Sequence, residues 1–203
     1  MKGLFNRVFN HRALGWAAVG AACLAVATVA FVALQPTDDT KRSLDDGFPD
    51  GGGLPYWTMI GAAGLPDEVD FNIVVYTGAI ASIDPAAGAS SNVVLRYPVT
   101  TNANLTSNEP DPFLYVRYRD NGAGARVIAY LKEFDLLTGA TVTRMTFNSD
   151  QYAANNGYQT RFITPTTNFS FDFSRKAYWV DVILTRTNSS GNPAVAMVMV
   201  GRF

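Results

Sequence analysis

Residues 177–203 read AYWVDVILTRT, then NSSGNP, then AVAMVMVGRF. The outer two runs are rich in β-branched and aromatic residues, and the Asn, Ser, Gly and Pro between them favour a turn. In the first run every second residue from Tyr178 to Leu184 is apolar, which predicts a strand with one buried face. The last run, 194–203, is apolar on both faces. We expect such a strand at the centre of a sheet or under a covering neighbour.

The same alternation of short β-rich runs and turn clusters extends back to residue 69. No stretch after residue 55 shows a sustained apolar period of 3.6 residues, so a parallel α/β architecture is disfavoured. Turn clusters at 120–124, 137–139 and 188–193 favour hairpins, so we expect consecutive strands to be antiparallel neighbours. The prediction is an all-β fold, an antiparallel β-sandwich of jelly-roll or immunoglobulin-like topology. The predicted strands are 69–77, 92–99, 113–119, 126–134, 141–148, 158–164, 168–173, 177–187 and 194–203.

A small outer-membrane β-barrel is the structural alternative, because the number of strands and a terminal strand ending in Phe203 suit one. Barrel strands alternate between apolar side chains that face lipid and polar ones that face the lumen. In the last strand Val195, Met197 and Met199 are matched by apolar residues on the opposite face. This pattern favours the sandwich.

An uncharged segment, residues 13–34, follows a leader, residues 1–12, that carries Lys2, Arg7 and Arg12. At a rise of about 1.5 Å per residue, a helix of that length matches a hydrocarbon core of about 30 Å. We therefore predict one N-terminal transmembrane helix that acts as a signal anchor. A cleaved signal peptide is the alternative, although the small-residue cleavage patterns lie inside the apolar run.

The charge of the leader predicts the orientation of the chain. Basic flanks stay on the cytoplasmic side, so we expect a cytoplasmic N-terminus and an extracytoplasmic domain at 55–203. Residues 35–54 read QPTDDTKRSLDDGFPDGGGL, and this polar, Gly-rich composition predicts a flexible acidic linker. The expected protein is a single-pass membrane protein. With cleavage, the same domain would be secreted or periplasmic.

The chemistry open to the exported part is narrow, because the sole His is His11 and the sole Cys is Cys23. No Ser-His-Asp or Cys-His nucleophile can form there from one chain, no disulfide is possible, and a zinc site would have only oxygen ligands. We predict no cofactor and no metal site. All 17 acidic residues but only 13 of the 16 basic ones follow residue 34. The resulting net charge of −4 makes nucleic acid an unfavourable partner.

Carboxylates are the remaining acid–base groups. Two of them facing one pocket would support a carboxylate-based hydrolase. Closely spaced carboxyl groups more often form a solvated rim, so the sequence does not favour an enzyme. The closely spaced ones are Asp67, Glu68 and Asp70, and Glu133 with Asp135.

Asp181 differs from these, because the alternation in its run places it with Trp179 and Ile183 on one face of a strand. There it is either buried with a perturbed pKa or paired with an Arg across the sheet, and we favour the pairing. Aromatic residues make up 12% of the chain, enough for a platform on which sugar rings stack. The candidate ligand-binding residues are Tyr56, Trp57, Tyr178 and Trp179.

Together these patterns predict a membrane-anchored β-sandwich whose function is interaction. We expect a structural or protein-interaction component of a cell envelope or of a membrane-associated assembly. The expected partners are the membrane and another protein or a second copy of the chain. A carbohydrate-binding surface module with a glycan partner is the alternative suggested by the aromatic residues, and the hydrolase and the barrel are the others.

Overall fold

The β-rich runs form eleven strands in the part of the chain that the computed structural model describes, residues 56–102, 105 and 111–202. The predicted leader, anchor and linker, residues 1–12, 13–34 and 35–54, lie outside these residues. Within the described part, no helix has the length and apolarity needed to cross a membrane. Its helices are three short 3-10 turns, Gly61–Ala63, Glu68–Asp70 and Ser149–Gln151.

The strands vary in length from two to eleven residues. They are β1 (Trp57–Ile60), β2 (Leu65–Pro66), β3 (Val74–Thr77), β4 (Ile80–Ile83), β5 (Ser91–Val99), β6 (Pro112–Asp120), β7 (Ala125–Asp135), β8 (Thr141–Asn148), β9 (Asn155–Ile163), β10 (Lys176–Arg186) and β11 (Ala194–Arg202).

These strands form two sheets whose inner faces share one apolar core. In sheet I the order is β3-β4-β11-β6-β9, and β1 also pairs with β11. In sheet II the order is β2-β5-β10-β7-β8. Every pairing is antiparallel. The predicted antiparallel β-sandwich is confirmed.

The eight strands from β4 to β11 pair in a nested way. The first pairs with the last, β4 with β11, and inward from there β5 pairs with β10, β6 with β9 and β7 with β8. This nesting, split over two sheets, is the jelly-roll arrangement. It is the first of the two topologies predicted.

Two of the three predicted hairpin turns connect the sheets instead. Residues 121–124 lead from β6 in sheet I to β7 in sheet II, and residues 187–193 lead from β10 to β11. The prediction of consecutive antiparallel neighbours is wrong there, because turn residues show where a chain reverses but not which sheet the next strand joins. The two loops support each other: the backbone N–H of Asn192 donates to Asn121 Oδ1 at 2.6 Å.

The core is built from alternate residues of the strands. On β10, Tyr178 and Leu184 and the two Val between them point inward and are at most 3% exposed, as their alternation predicts. β11 lies between β6 on one side and β1 and β4 on the other, and seven of its nine residues are buried. The prediction of a central last strand is confirmed.

The predicted strand at 168–173 is wrong. Phe169 and Phe171 are buried, but the segment forms no ladder. Its apolar alternation is used to pack rings, with the Phe171 centroid 4.8 Å from that of Tyr178. Part of the predicted strand 69–77 is also a 3-10 turn. The unpredicted β1, β2 and β4 have at most four residues, too few to show a period.

Candidate functional site

The outer face of sheet II carries the side chains that alternate with the core residues. On β10 these include Trp179 and Asp181, because their neighbours point into the core. The strand register sets Arg96 of β5 and Tyr130 of β7 opposite Asp181, and Lys132 of β7 opposite Trp179. These five residues, Arg96, Tyr130, Lys132, Trp179 and Asp181, are called the Trp179 face below.

Asp181 joins the other members of the Trp179 face. The residue is 3% exposed. Arg96 donates to its two oxygens from Nε at 2.8 Å and from Nη2 at 3.3 Å, and Lys132 Nζ lies 3.0 Å from Oδ2. The indole Nε1 of Trp179 donates to Oδ2 at 2.9 Å. The carboxylate is thus both buried and paired with an Arg across the sheet.

This environment fixes the charge state of the carboxyl group. Burial raises the pKa of Asp181, but hydrogen bonds from Arg96, Trp179 and Lys132 outweigh burial and leave the pKa below its ordinary value. The hydrogen bond to Asp181 in turn raises the pKa of Arg96. At neutral pH the network therefore holds one carboxylate between two cations.

The two aromatic rings of the face are held by the same network. The hydrogen bond from Nε1 fixes the orientation of the Trp179 indole, and Arg96 Cζ lies 5.4 Å from the centroid of that ring. Lys132 Nζ lies 5.6 Å from the centroid of Tyr130. Both aromatic residues are half-buried, so part of each is open to solvent. The face therefore presents apolar ring surface bordered by N–H donors.

An open cavity of about 210 Å³ adjoins this face where β2, the edge strand of sheet II, pairs with β5. Its wall is fixed to β5, because the Val94 N–H donates to Asp70 Oδ2 at 2.7 Å and the Val94 carbonyl accepts from the Asp67 N–H at 3.2 Å. The Arg96 side chain borders both the cavity and the Trp179 face. The cavity is lined by Leu65, Pro66, Asp67, Val94 and Arg96.

The four aromatic residues singled out from the sequence do not form one platform. Trp57 and Tyr178 are 6% and 3% exposed and belong to the core, so neither presents a ring to solvent. Tyr56 is half-buried near sheet I, where its ring meets Phe113 edge-on at 5.4 Å. Of the four, only Trp179 lies on the outer face of sheet II.

The carboxyl groups considered for hydrolysis do not converge. Glu133 is 3% exposed and is bound by Arg144 at 2.7 and 2.8 Å and by Lys176 at 2.7 Å. Burial raises the pKa of Glu133, but these hydrogen bonds lower it overall. Asp135 accepts from the backbone of the β7–β8 turn. Among the described residues, no three His, Cys, Asp or Glu are grouped as a metal site would need.

A larger cavity of about 500 Å³ lies between β8 and the segment that follows β9. Arg144 lines it, but its guanidinium is already bound to Glu133. The lining contains no aromatic ring and no carboxylate, so it offers hydrogen bonds without a stacking surface. The lining residues are Thr143, Arg144, Met145, Thr146, Thr164, Pro165, Thr166 and Thr167.

Sequence reasoning missed Arg96 and Lys132 as members of the site. Alternation with core residues gives the face on which each lies. The strand register that brings Arg96 to Asp181, 85 positions away, is not encoded in any local pattern.

No protein-family model and no curated protein sequence matches this chain. Among solved structures, it is similar to a xylan-binding module CBM15, at 12% identity over 64% of this chain and 81% of that chain, with a TM-score of 0.38. It is also similar to the carbohydrate-binding module CBM6cm-2 of Cellvibrio mixtus lichenase 5A in complex with cellotriose, at 10% identity, 72% and 96% coverage and a TM-score of 0.38.

The chain is also similar to a solved structure of another kind, the VP2 subviral particle of infectious bursal disease virus, at 8% identity over 72% of this chain and 32% of that chain, with a TM-score of 0.36. TM-scores this low carry no argument about function, so the function of the present chain has to be inferred from its own residues.

Proposed function

We propose that this protein is a carbohydrate-binding module that holds glycan on the Trp179 face without cleaving it. The observation that carries the proposal is the Trp179 indole, half-buried on an outer sheet face and fixed in orientation by its hydrogen bond to Asp181. Sugar rings pack their C–H surfaces on such rings, and nearby polar groups orient their hydroxyls.

The donors around the ring are held in place before any ligand arrives. Arg96 and Lys132 are fixed by Asp181, so little side-chain freedom remains to be lost on binding. Tyr130 lies opposite Asp181 on the same face and extends the apolar surface. The adjoining cavity beside Arg96 gives a sugar chain room at the edge of the sheet.

Binding is favoured over hydrolysis because Asp181 and Glu133, the two buried carboxylates that are ion-paired, lie on opposite faces of sheet II. Asp181 points outward, whereas Glu133 alternates with outward residues of β7 and points inward. Each is also engaged by two cations. Neither has a free oxygen pair aimed at a shared substrate position.

A variant pair tests this function. Trp179→Ala removes the ring, and we expect at least about a tenfold loss of affinity for the polysaccharide that the wild type binds, since aromatic anchors in interfaces carry about 2 kcal/mol or more. Tyr158→Ala is the matched control, because Tyr158 also lies under an Arg, with Arg119 Cζ at 5.4 Å, but on sheet I.

Binding is measured first by affinity electrophoresis in gels cast with a panel of polysaccharides. Calorimetry then gives the affinity for each polysaccharide that retards the protein. The proposal fails if no polysaccharide retards the wild type. It fails equally if the two variants lose affinity alike.

We also propose that an anchor at residues 13–34 tethers the module on the outer side of a membrane. The support is the uncharged length of that segment behind a basic leader. The intact mass of protein extracted from membranes distinguishes a retained anchor from a cleaved one. Release of the full-length chain by carbonate washing would contradict the anchor.

Contact with another protein is a second candidate function, favoured by the β7–β8 turn. That turn holds Leu136 and Leu137 at 57% and 71% exposure and is fixed by backbone N–H groups that donate to Asp135. Exposed apolar side chains on a rigid turn favour association. The double substitution Leu136→Ser, Leu137→Ser should abolish any self-association seen by light scattering. Val69→Ser, at an 83% exposed site elsewhere, should not.

A further inference from the structure

Positive and negative charges balance on and beside the Trp179 face. Arg96 and Lys132 share Asp181, at 2.8 and 3.0 Å. Farther along sheet II, Arg126 lies opposite Thr185 in the strand register and 3.8 Å from Asp150. Asp67 lines the adjoining cavity together with Arg96 and adds a further carboxylate near that guanidinium. Three cations thus face three carboxylates.

An anionic sugar would have to compete for these cations. A uronate or sulfate that took Arg96 or Lys132 would leave Asp181 buried with fewer partners, and a buried carboxylate that loses its partner is strongly destabilised. At the adjoining cavity the same ligand would approach the carboxylate of Asp67. Both steps oppose the binding of an acidic glycan.

A neutral sugar hydroxyl does not compete with Asp181 for Arg96 and Lys132. The guanidinium of Arg96 has five N–H groups and the ammonium of Lys132 has three, of which Asp181 uses two and one. The remaining N–H groups can donate to hydroxyl oxygens while the network with Asp181 stays intact. The hydroxyl then gains a charge-assisted hydrogen bond without breaking an ion pair.

We infer that the glycan held on the Trp179 face is a neutral one, chosen against acidic glycans by the charge balance of this face. The inference rests on the proposed function and names its ligand class. Because no net charge is neutralised on binding, affinity is insensitive to salt.

The test compares neutral and acidic polysaccharides with the full-length chain in detergent. Xylan, galactan, mannan and hydroxyethylcellulose serve as neutral probes, and alginate, polygalacturonate and carboxymethylcellulose as acidic ones. We expect retardation by at least one neutral probe, unchanged within about twofold between low salt and about 0.5 M sodium chloride. We expect the acidic probes to bind at least about tenfold more weakly.

The outcomes separate the inference from the proposed function. Preferential binding of acidic probes, or equal binding of both kinds, overturns the inference and leaves carbohydrate binding standing. Retardation by none of the probes overturns both.

Two variants test the cause of the selectivity. Asp181→Asn releases both cations, so we expect it to raise affinity for acidic probes and make that binding salt-dependent. Arg96→Gln removes a donor instead, and it should lower affinity for the neutral probe without any gain for acidic ones. A gain for acidic probes in Arg96→Gln, or none in a folded Asp181→Asn, contradicts the charge-balance argument. If Asp181→Asn does not fold, the charge-balance argument is still tested by Arg96→Gln and by the salt dependence of the wild type.

Discussion

Asp181 binds three side chains at once, and its charge can be removed with little change of shape. Asp181→Asn removes the carboxylate that Arg96 and Lys132 share. The carboxylate is buried but Arg96 is exposed, so we expect a loss of about 1–3 kcal/mol in the free energy of unfolding, below the value for a fully buried pair. Urea denaturation measures this loss.

Asp150→Asn is the matched control, because Asp150 is exposed and lies 3.8 Å from Arg126. We expect it to change stability by about 0.5 kcal/mol or less. Equal losses in the two variants would mean that burial of the carboxylate adds nothing.

Acid sensitivity follows from the two buried carboxylates that form ion pairs, Asp181 and Glu133. Both Asp181 and Glu133 have a pKa below the ordinary value. A carboxyl group of this kind stabilises the fold above its unfolded pKa of about 4, and the stabilisation is lost as pH falls through the folded pKa. We expect the melting temperature to be level from about pH 7 to 5 and to fall below about pH 4.

The check is a series of thermal melts at closely spaced pH values. It is run on the wild type and on the double variant Asp181→Asn, Glu133→Gln. The double variant should be less stable at neutral pH and should lose less on acidification. An undiminished acid loss in that variant would assign the effect to other groups.

For single residues, the sequence predicted the sheet face on which a side chain lies but not the side chain with which it pairs. The alternation around Asp181 places it on the face opposite Tyr178 and Val180, and an Arg across the sheet was the favoured partner. Which Arg pairs with it depends on the register of β5 against β10, and that register is set by the folded topology. Trp57 shows the converse: with only four residues in β1, no alternation revealed that it faces the core.

Among the elements, the short 3-10 turn after β1 is packed closely against β11 and the core, and we expect it to contribute to stability. A Cβ at Gly61 would overlap the backbone carbonyl oxygen of Val195 in β11, and the Gly61 carbonyl accepts from the buried Tyr97 hydroxyl at 2.7 Å. Neither neighbour can move without disturbing the core. We therefore expect Gly61→Ala to cost about 1–3 kcal/mol or more, measured by chemical denaturation.

Gly88→Ala is the comparison variant, since its Cβ would meet only the Ser90 carbonyl oxygen, at an ordinary 3.7 Å. We expect stability there to stay level or to rise by up to about 1 kcal/mol, because alanine restricts the unfolded chain. A Gly61→Ala protein as stable as Gly88→Ala would show that the 3-10 turn after β1 is not held tightly against β11.

The turns show which connections a sequence encodes locally. The β7–β8 hairpin was predicted and forms, since Asp135 accepts from two backbone N–H groups of the turn and Gly139 supplies a φ of +72°. The loops 121–124 and 187–193 contain equally strong turn residues, yet they join different sheets. They pack on each other, with Gly191 against the Gly124 carbonyl, and a contact between distant segments leaves no local pattern.

For the whole molecule, nested pairing means that each sheet is assembled from both ends of the described chain. Ala81 of β4 pairs with Val195 of β11, and Asn92 of β5 pairs with Thr185 of β10. No contiguous half therefore contains a complete sheet. Residues 56–202 also contain no Cys, so one shared core of the two sheets must hold them together. These facts predict a single cooperative unfolding transition.

Two tryptophans make that prediction testable sheet by sheet. Trp57 lies in the core on β1 of sheet I, and Trp179 lies on the outer face of sheet II. In a Trp16→Phe background, Trp179→Phe leaves a reporter in sheet I and Trp57→Phe leaves one in sheet II. In each variant we expect the urea midpoint from fluorescence to coincide with the midpoint from far-ultraviolet circular dichroism.

Trp57→Phe should lower both midpoints together, because it removes ring volume from the core. The comparison is made within each variant, so this shift does not affect it. Separate midpoints would mean that one sheet survives the loss of the other, which the shared core does not allow. Because the inner side chains of β10 pack in the same cluster as those of β11, sheet II loses its buried face as soon as sheet I opens.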